Sequence, residues 1–336
     1  MSRDMMAGFE LYQPDTVASA VDLLTKFGAD GWAMAGGNDS LDWFKDRIKR
    51  PKYVVDLSGL TELRGIREMD DGGLEIGALT TLSEVSTSDV VTGRYGLLAA
   101  AAGRVASPQI RNTGTIGGNV SQDARCWYYR YGVNCYRAGG NRCYADTPEG
   151  QNREHCLWGA SRCVAVSPSD TAPALVALDA RMVIMGPGGE REVPAEEFFV
   201  GPAVDIQRMT VIEKGKGDVL TAIRLPAEWS GARHYFEKVA DRNTWDFPLV
   251  NVAAAMFVSG DSGAEKIDRI RIAAGAVECV PRRLTVVEQV VAGQPKTAET
   301  ASLAGQSAVR GATPLNYNDF KIPLLQNLVT RAIRDA

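Results

Sequence analysis

The sequence predicts an α+β protein of more than one domain, and three observations carry that expectation. Its 336 residues, 45% of them hydrophobic, suffice for two or three domains with buried cores that need no disulfides. Hairpin turns are written at DDGG (70–73) and GPGG (186–189). Helical spacing near the N-terminus and in the last 50 residues mixes with these hairpins in no strict β-α-β alternation.

The elements follow in order. In DTVASAVDLLTKFG, Val17, Val21, Leu24 and Phe27 recur at helical spacing, with Asp15 as the expected N-cap. WAMAGGN is a short strand running into a Gly-Gly turn, and LDWFKDRIKRPKYVVDLSGL a helix-to-strand unit ending at Leu60. LRGIREMDDGGLEIGAL alternates about its turn as a hairpin, and the Ala-rich residues 82–106 are predicted helical. TAPALVALDARMVIMGPGGEREVP reads as a helix or apolar strand followed by a hairpin. From about residue 230 a new block begins, with strands at HYFEKVA and VNVAAAMFV, hairpin strands around KIDRIRIAAGAV, and C-terminal helices.

The 37 basic and 41 acidic residues exclude a nucleic-acid or anionic-membrane surface and leave small molecules and proteins as partners. No apolar leader core opens the sequence, and no run of about 18 apolar residues follows, so a reducing cytoplasm is the expected compartment. Against that background, Cys126, Cys135, Cys143, Cys156 and Cys163, five of the six cysteines, crowd into one segment. Their intervening gaps of eight, seven, twelve and six residues do not suit structural zinc, and the compartment disfavours disulfides. Thiolate ligation of an iron cluster tolerates wide spacing because the ligands need only converge in space. Such crowding argues for metal or cluster ligation over free buried thiols. Arg125, Arg137, Arg142, Arg153 and Arg162 in the same segment are available to offset a cluster's charge. His155 and His234 are too few for a histidine metal site and read as structural.

Two glycine-rich turns, AGGNDS (35–40) and GTIGGN (114–119), fit neither the dinucleotide fingerprint nor a P-loop. Paired glycines do let backbone N–H groups approach a pyrophosphate, and two such turns form a possible clamp. No signature of a self-contained catalytic site is present, so no catalytic residue is assigned. Cofactor chemistry accounts for that absence.

AGGNDSLDWFK, SPQIRNTGTIGGN, PSDTAPALVALDA, GDVLTAIRLP, FEKVADRNTWDFPLVNVAAA and GAVECVPRR together resemble the medium, FAD-binding subunit of molybdenum hydroxylases of the xanthine dehydrogenase family, in the family's order. The resemblance implies a two-part FAD-binding domain of the vanillyl-alcohol oxidase type at 1–228 (lobes 1–60 and 61–228), and a small α+β CO-dehydrogenase-flavoprotein-like domain at 229–336. Asn119 and Asp170, close together in most members, stand 51 positions apart here. The extra length, an insertion at 120–169, is similar to that of two branches that hold a [4Fe-4S] cluster: the flavin subunit of periplasmic aldehyde oxidoreductase and the beta subunit of 4-hydroxybenzoyl-CoA reductase. The DxRC opening suits both, while the first cysteine gaps and the RxHxxxG ending are closer to the aldehyde oxidoreductase. That pattern implies Cys126, Cys135, Cys143 and Cys163 as cluster ligands, with Cys156 spare and Cys279 distant. The resemblance further implies Ala35, Gly36, Gly37, Asn38, Asp39 and Ser40 around the FAD pyrophosphate, with Ser107, Thr115, Gly118 and Asn119 as the second clamp. Asp123 is counted among the cofactor residues, Asp170 is expected on ribityl or ribose hydroxyls, Val219 and Leu220 against a ring system, and Lys238 at the flavin. Asn38-Asp39-Ser40 replaces the Thr-Asp/Glu-Leu of many relatives, which bears on side-chain contacts there but not on backbone ones.

The implied function is an FAD and [4Fe-4S] electron-transfer subunit of a heterotrimeric molybdenum-containing oxidoreductase. Its partners would be a large molybdenum-cofactor subunit, a small subunit with two [2Fe-2S] clusters, and an external electron acceptor. Aldehydes are the first expected substrate class, oxidised in the large subunit, and co-export with a partner would bring the complex to the periplasm. Alternatives are a 4-hydroxybenzoyl-CoA reductase-like beta subunit and a stand-alone flavin oxidoreductase of the same fold.

Overall fold

The computed structural model describes residues 5–212, 215–261 and 264–336. Its first layer comprises β1 (Glu10–Tyr12), α1 (Val17–Phe27), β2 (Gly31–Met34), α2 (Asn38–Lys45) and β3 (Tyr53–Asp56). The strands form a parallel sheet ordered β1-β3-β2. Thr16, not Asp15, caps α1: its hydroxyl accepts from Ser19 N–H at 3.1 Å, and its extended backbone suits a β-branched residue. Helix α1 lays Ala20, Val21 and Leu24 on Val55, Leu57, Leu60 and Leu63, which fixes the end of β2 and the glycine turn after it.

The second layer is an antiparallel five-stranded sheet of order β4-β5-β8-β6-β7, built from β4 (Ile66–Glu68), β5 (Leu74–Gly77), β6 (Arg181–Gly186), β7 (Gly189–Pro194) and β8 (Val219–Leu225). Both expected hairpins are present, as β4-β5 and β6-β7. The expected helical stretch at 82–106 is broken into α3 (Leu82–Thr87), α4 (Asp89–Arg94) and α5 (Gly96–Gly103). Ser88 leaves helical geometry to cap α4, and Tyr95 leaves it to bury its ring and donate its hydroxyl hydrogen to Pro226 O at 3.2 Å. Five short helices complete this layer: α6 (Pro108–Thr113), α7 (Ile116–Ser121), α8 (Trp127–Arg130), α9 (Thr171–Ala177) and α10 (Ala195–Phe198).

The third layer is an antiparallel sheet of order β12-β11-β10-β9, from β9 (Arg233–Val239), β10 (Val250–Ser259), β11 (Lys266–Gly275) and β12 (Arg282–Arg283), covered by α11 (Thr285–Val291), α12 (Ala298–Ala308) and α13 (Lys321–Asp335). Strand β10 is a party wall between two cores. Ala253 and Ala255 face the core of the second layer, while Val252, Ala254 and Met256 face the C-terminal helices. Alternation with period two puts successive residues on opposite faces, and alanine permits the close approach of α5 and α9 on one of them.

The cysteine segment is held by the C-terminal domain. Leu157 N–H donates to Val277 O at 2.8 Å and Ser167 N–H to Glu278 O at 3.0 Å. Asn318 Nδ2 donates to the carbonyls of His155 and Cys156, both at 3.0 Å. Fully buried Lys321 donates to Glu154 O, His155 O and Ala276 O at 2.8–3.0 Å. Burial pulls this ammonium down to about 7, against carbonyl dipoles that favour its charged form. No helix among the described residues is long and apolar enough to cross a membrane. Lys321→Met would leave the carbonyls of Glu154 and Ala276 unpaired, His155 O keeping Asn318; a stability loss of about 3 kcal/mol is expected, read as a lower urea midpoint with an unchanged slope.

Candidate functional site

The two glycine turns meet. Gly36 packs so tightly on the loop before the second turn that a Cβ there would lie 2.0 Å from Thr113 O. Gly37 has φ +77°, a left-handed conformation that glycine adopts without strain. Asn38 Nδ2 donates to Thr113 Oγ1 at 3.1 Å, bridging the turns. Asp39 accepts from Asp123 N–H and Arg130 Nη2, each at 3.0 Å, and Ser40 accepts from Trp32 Nε1 at 2.9 Å. The side chains at 38–40 are thus committed to the protein, and what this turn offers a ligand is backbone. Helix α2 starts at Asn38 behind Gly37, which has no side chain to cap the first N–H groups.

In the second turn, Gly117 N–H donates to Ala78 O and Ile116 N–H to Thr80 O, both at 2.9 Å. Thr115 Oγ1 accepts from Gly118 N–H at 3.0 Å, capping α7, and Ser107 similarly caps α6. A Cβ on Gly118 would meet only Thr115 Oγ1 within 4 Å, so this position borders open space. Asn119 and Asp170 are brought together in spite of the insertion: Asn119 Oδ1 accepts from Ser169 Oγ and Thr171 Oγ1, both at 2.6 Å. Asp170 itself is buried, with Lys238 Nζ at 2.6 Å on one oxygen and Asn251 Nδ2 at 2.9 Å on the other. Burial pushes its carboxyl above the ordinary value, opposed by the Lys238 ammonium. Lys238 also donates to Arg104 O and Asp246 O, at 3.1 and 2.7 Å. Val219 and Leu220 lie in β8, in two separate hydrophobic clusters.

A second feature lies beside the clamp. Cys126, Cys135, Cys143 and Cys163 line one small cavity of about 10 Å³, together with Tyr129, Arg137 and Ala165. Cys156 is outside it, in a cluster with Val164 and Ala276. Among the described residues no three His, Cys, Asp or Glu side chains come close enough to hold a single metal ion. The four thiols therefore surround a space and do not converge on a point. Burial pushes the Cys126 thiol up to about 12 and also raises Cys143. Burial holds the His155 imidazole neutral, down to about 4, and its Nε2 lies 3.2 Å from Cys126 Sγ while Nδ1 has no partner. The single ring proton is accordingly assigned to Nε2, donating to sulphur. Arg137 is buried in the cavity wall with its Nε unpartnered.

Residues 7–228 match the family of the FAD binding domain in molybdopterin dehydrogenase, and residues 234–336 the CO dehydrogenase flavoprotein C-terminal domain. The chain is 30% identical over 333 residues to the carbon monoxide dehydrogenase medium chain of Hydrogenophaga pseudoflava, covering 98% of this chain and 96% of that one. It is 32% identical over 308 residues, 90% of each chain, to the aldehyde oxidoreductase FAD-binding subunit of Escherichia coli K12. This chain belongs to the FAD-binding medium subunits of the molybdenum hydroxylases. Its fold agrees: a solved carbon monoxide dehydrogenase from Hydrogenophaga pseudoflava superposes with a TM-score of 0.76 at 29% identity, over 99% of this chain and 98% of that one.

In this medium subunit Cys279, expected to be distant, lies next to the cavity. It shares a buried cluster with Cys126, Cys135 and Cys163, and accepts from Arg137 Nη2 at 3.3 Å. Its place on the loop after β11, which also pairs with the cysteine segment, explains the approach. The contacts of His155 and the Lys321 clasp were likewise outside sequence reach, although RxHxxxG marks the histidine. Asp123 joins the two features, accepting from Tyr129 Oη at 3.0 Å and standing 3.4 Å from both Arg137 and Lys49, while its N–H binds Asp39. Asp170→Asn strips the buried Lys238 of its counter-charge; a loss of about 3 kcal/mol is expected in denaturant unfolding.

Proposed function

We propose that this medium subunit carries FAD and a [4Fe-4S] cluster and serves as the electron-transfer subunit of a heterotrimeric molybdenum-containing oxidoreductase. The observation that carries the cluster assignment is the cavity lined by Cys126, Cys135, Cys143 and Cys163. Its four thiols line one space without three of them converging on a single ion, and its wall holds a buried cation with an N–H that has no hydrogen-bond partner. Both features suit a bulky anionic group ligated by thiolates. For FAD, the uncapped start of α2 presents backbone N–H groups to a pyrophosphate, and exposed Gly118, whose own N–H is held by Thr115, leaves room for its close approach. Asn38, Asp39 and Ser40 would shape that turn from behind, and Asp170 and Lys238 would hold the seam of the two domains, 1–228 and 229–336, at the flavin.

When bound, the flavin and the cluster supply the electron storage and transfer that side chains cannot. A large molybdenum-cofactor subunit, a small subunit with two [2Fe-2S] clusters and an external acceptor complete the proposed assembly. Aldehydes are the proposed substrate class, because the cysteine pattern is closer to the aldehyde oxidoreductase branch. Assembly in a reducing cytoplasm is part of the proposal, since thiolate ligation needs cysteines kept from forming disulfides.

Anaerobic co-purification with flavin, iron and molybdenum counts tests the whole reading, with FAD and about four irons expected on this chain. Cys135→Ser is expected to lose the iron and keep the flavin, whereas Cys156→Ser and Cys279→Ser keep both; iron counts unchanged in Cys135→Ser would overturn the ligand set. Gly118→Val, whose Cβ would meet only Thr115 Oγ1, at 3.0 Å, is expected to abolish flavin binding while iron content stays near wild type and the unfolding midpoint falls only slightly. Normal flavin occupancy in that variant would refute the clamp.

A further inference from the structure

We infer that Arg137 is the built-in counter-ion of the cysteine cavity and sets the reduction potential of what the cavity holds, an inference that rests on the cluster reading above. Of the six arginines in the segment, five have other occupations, Arg130 among them on Asp39 at 3.0 Å. Arg125 pairs with Glu154 at 2.7 Å, and Arg153 with Asp241 at 2.8 Å. Arg142 lies over Tyr144, and Arg162, although at the cavity, is exposed and lies over Tyr136. Arg137 is 3% exposed and stands two residues after Cys135 on a tight turn that delivers its guanidinium to the wall.

Its partners under-compensate it. Nη1 is 3.4 Å from Asp123 Oδ1, but Asp123 is shared with Lys49, also at 3.4 Å, so one carboxylate serves two cations. Nη2 donates to Cys279 Sγ at 3.3 Å, and the guanidinium also reaches Cys163 of the cavity. Nε has no hydrogen-bond partner. A guanidinium does not lose its proton in a protein, so the wall carries a buried positive charge that its surroundings leave partly unanswered. An anionic, thiolate-ligated group in the cavity answers it.

One-electron reduction of such a group forms and breaks no bond and adds one negative charge. A cation fixed in low-dielectric surroundings favours the more negative state, so Arg137 raises the midpoint potential. It is a positioning and tuning residue; the cysteines remain the ligands.

The test is a redox titration of the intact complex with dithionite and mediators, following the cluster by EPR and the flavin by absorbance. In Arg137→Gln, with iron and FAD counts preserved, the cluster midpoint is expected to move to more negative potential, with Arg137→Lys between it and wild type and the flavin midpoint unmoved. Asp123→Asn, which removes the shared carboxylate, is expected to shift the cluster midpoint the opposite way, and it carries the test if Arg137→Gln sheds its iron. A midpoint unchanged in whichever variant keeps its iron, or a negative shift in Asp123→Asn, would overturn the assignment. Absence of iron from the wild-type complex would instead sink the cluster reading on which it rests.

Discussion

The buried contact of Asp170 with Lys238 is the joint on which the rest of the molecule turns. Asp170 opens α9 in the flavin-binding part, while Lys238 on β9 and Asn251 on β10 belong to the C-terminal sheet. Taking both charges out of water is costly, and it is offset only because every polar atom of the pair finds a partner. Lys238 spends its remaining hydrogens on Arg104 O and Asp246 O, so one ammonium ties α5 and the loop after β9 to the same point. On the other side, Ser169 and Thr171 bind Asn119, which carries the constraint into the second glycine turn. Clamp and domain seam are therefore one object.

The cysteine segment obeys the same logic by other means. A stretch so rich in glycine, asparagine and arginine has little apolar surface with which to pack itself. It is ordered from outside: Asn318 and Lys321 saturate its carbonyls, and the loop after β11 pairs with its backbone. Trp43 of α2 completes the arrangement beneath it, sandwiched near Arg130 and Tyr129. Asp123 then connects the segment to the first glycine turn through Asp39. The cysteine cavity and the first glycine turn are consequently linked through one carboxylate.

Much of this was legible in the chain because the signals are local. Turn chemistry at DDGG and GPGG marked both hairpins, paired glycines marked two turns that meet, and the family resemblance picked out the four thiols that line one cavity. Local reasoning also erred locally. Thr16 displaced Asp15 as cap because its backbone was already extended, and the helical stretch at 82–106 broke where Ser88 and Tyr95 found better partners than the next helical turn.

By itself the sequence determined the α+β class, the glycine and cysteine sets and the family, since each is written in residue type and short spacing. The tertiary structure alone decided which charges are paired. That Lys238 meets Asp170, that Lys321 faces three carbonyls and that Cys279 approaches the cavity all depend on residues 45 to 167 positions apart. Electrostatic pairing in a low-dielectric interior is set by distance in space, and no spacing along the chain encodes it.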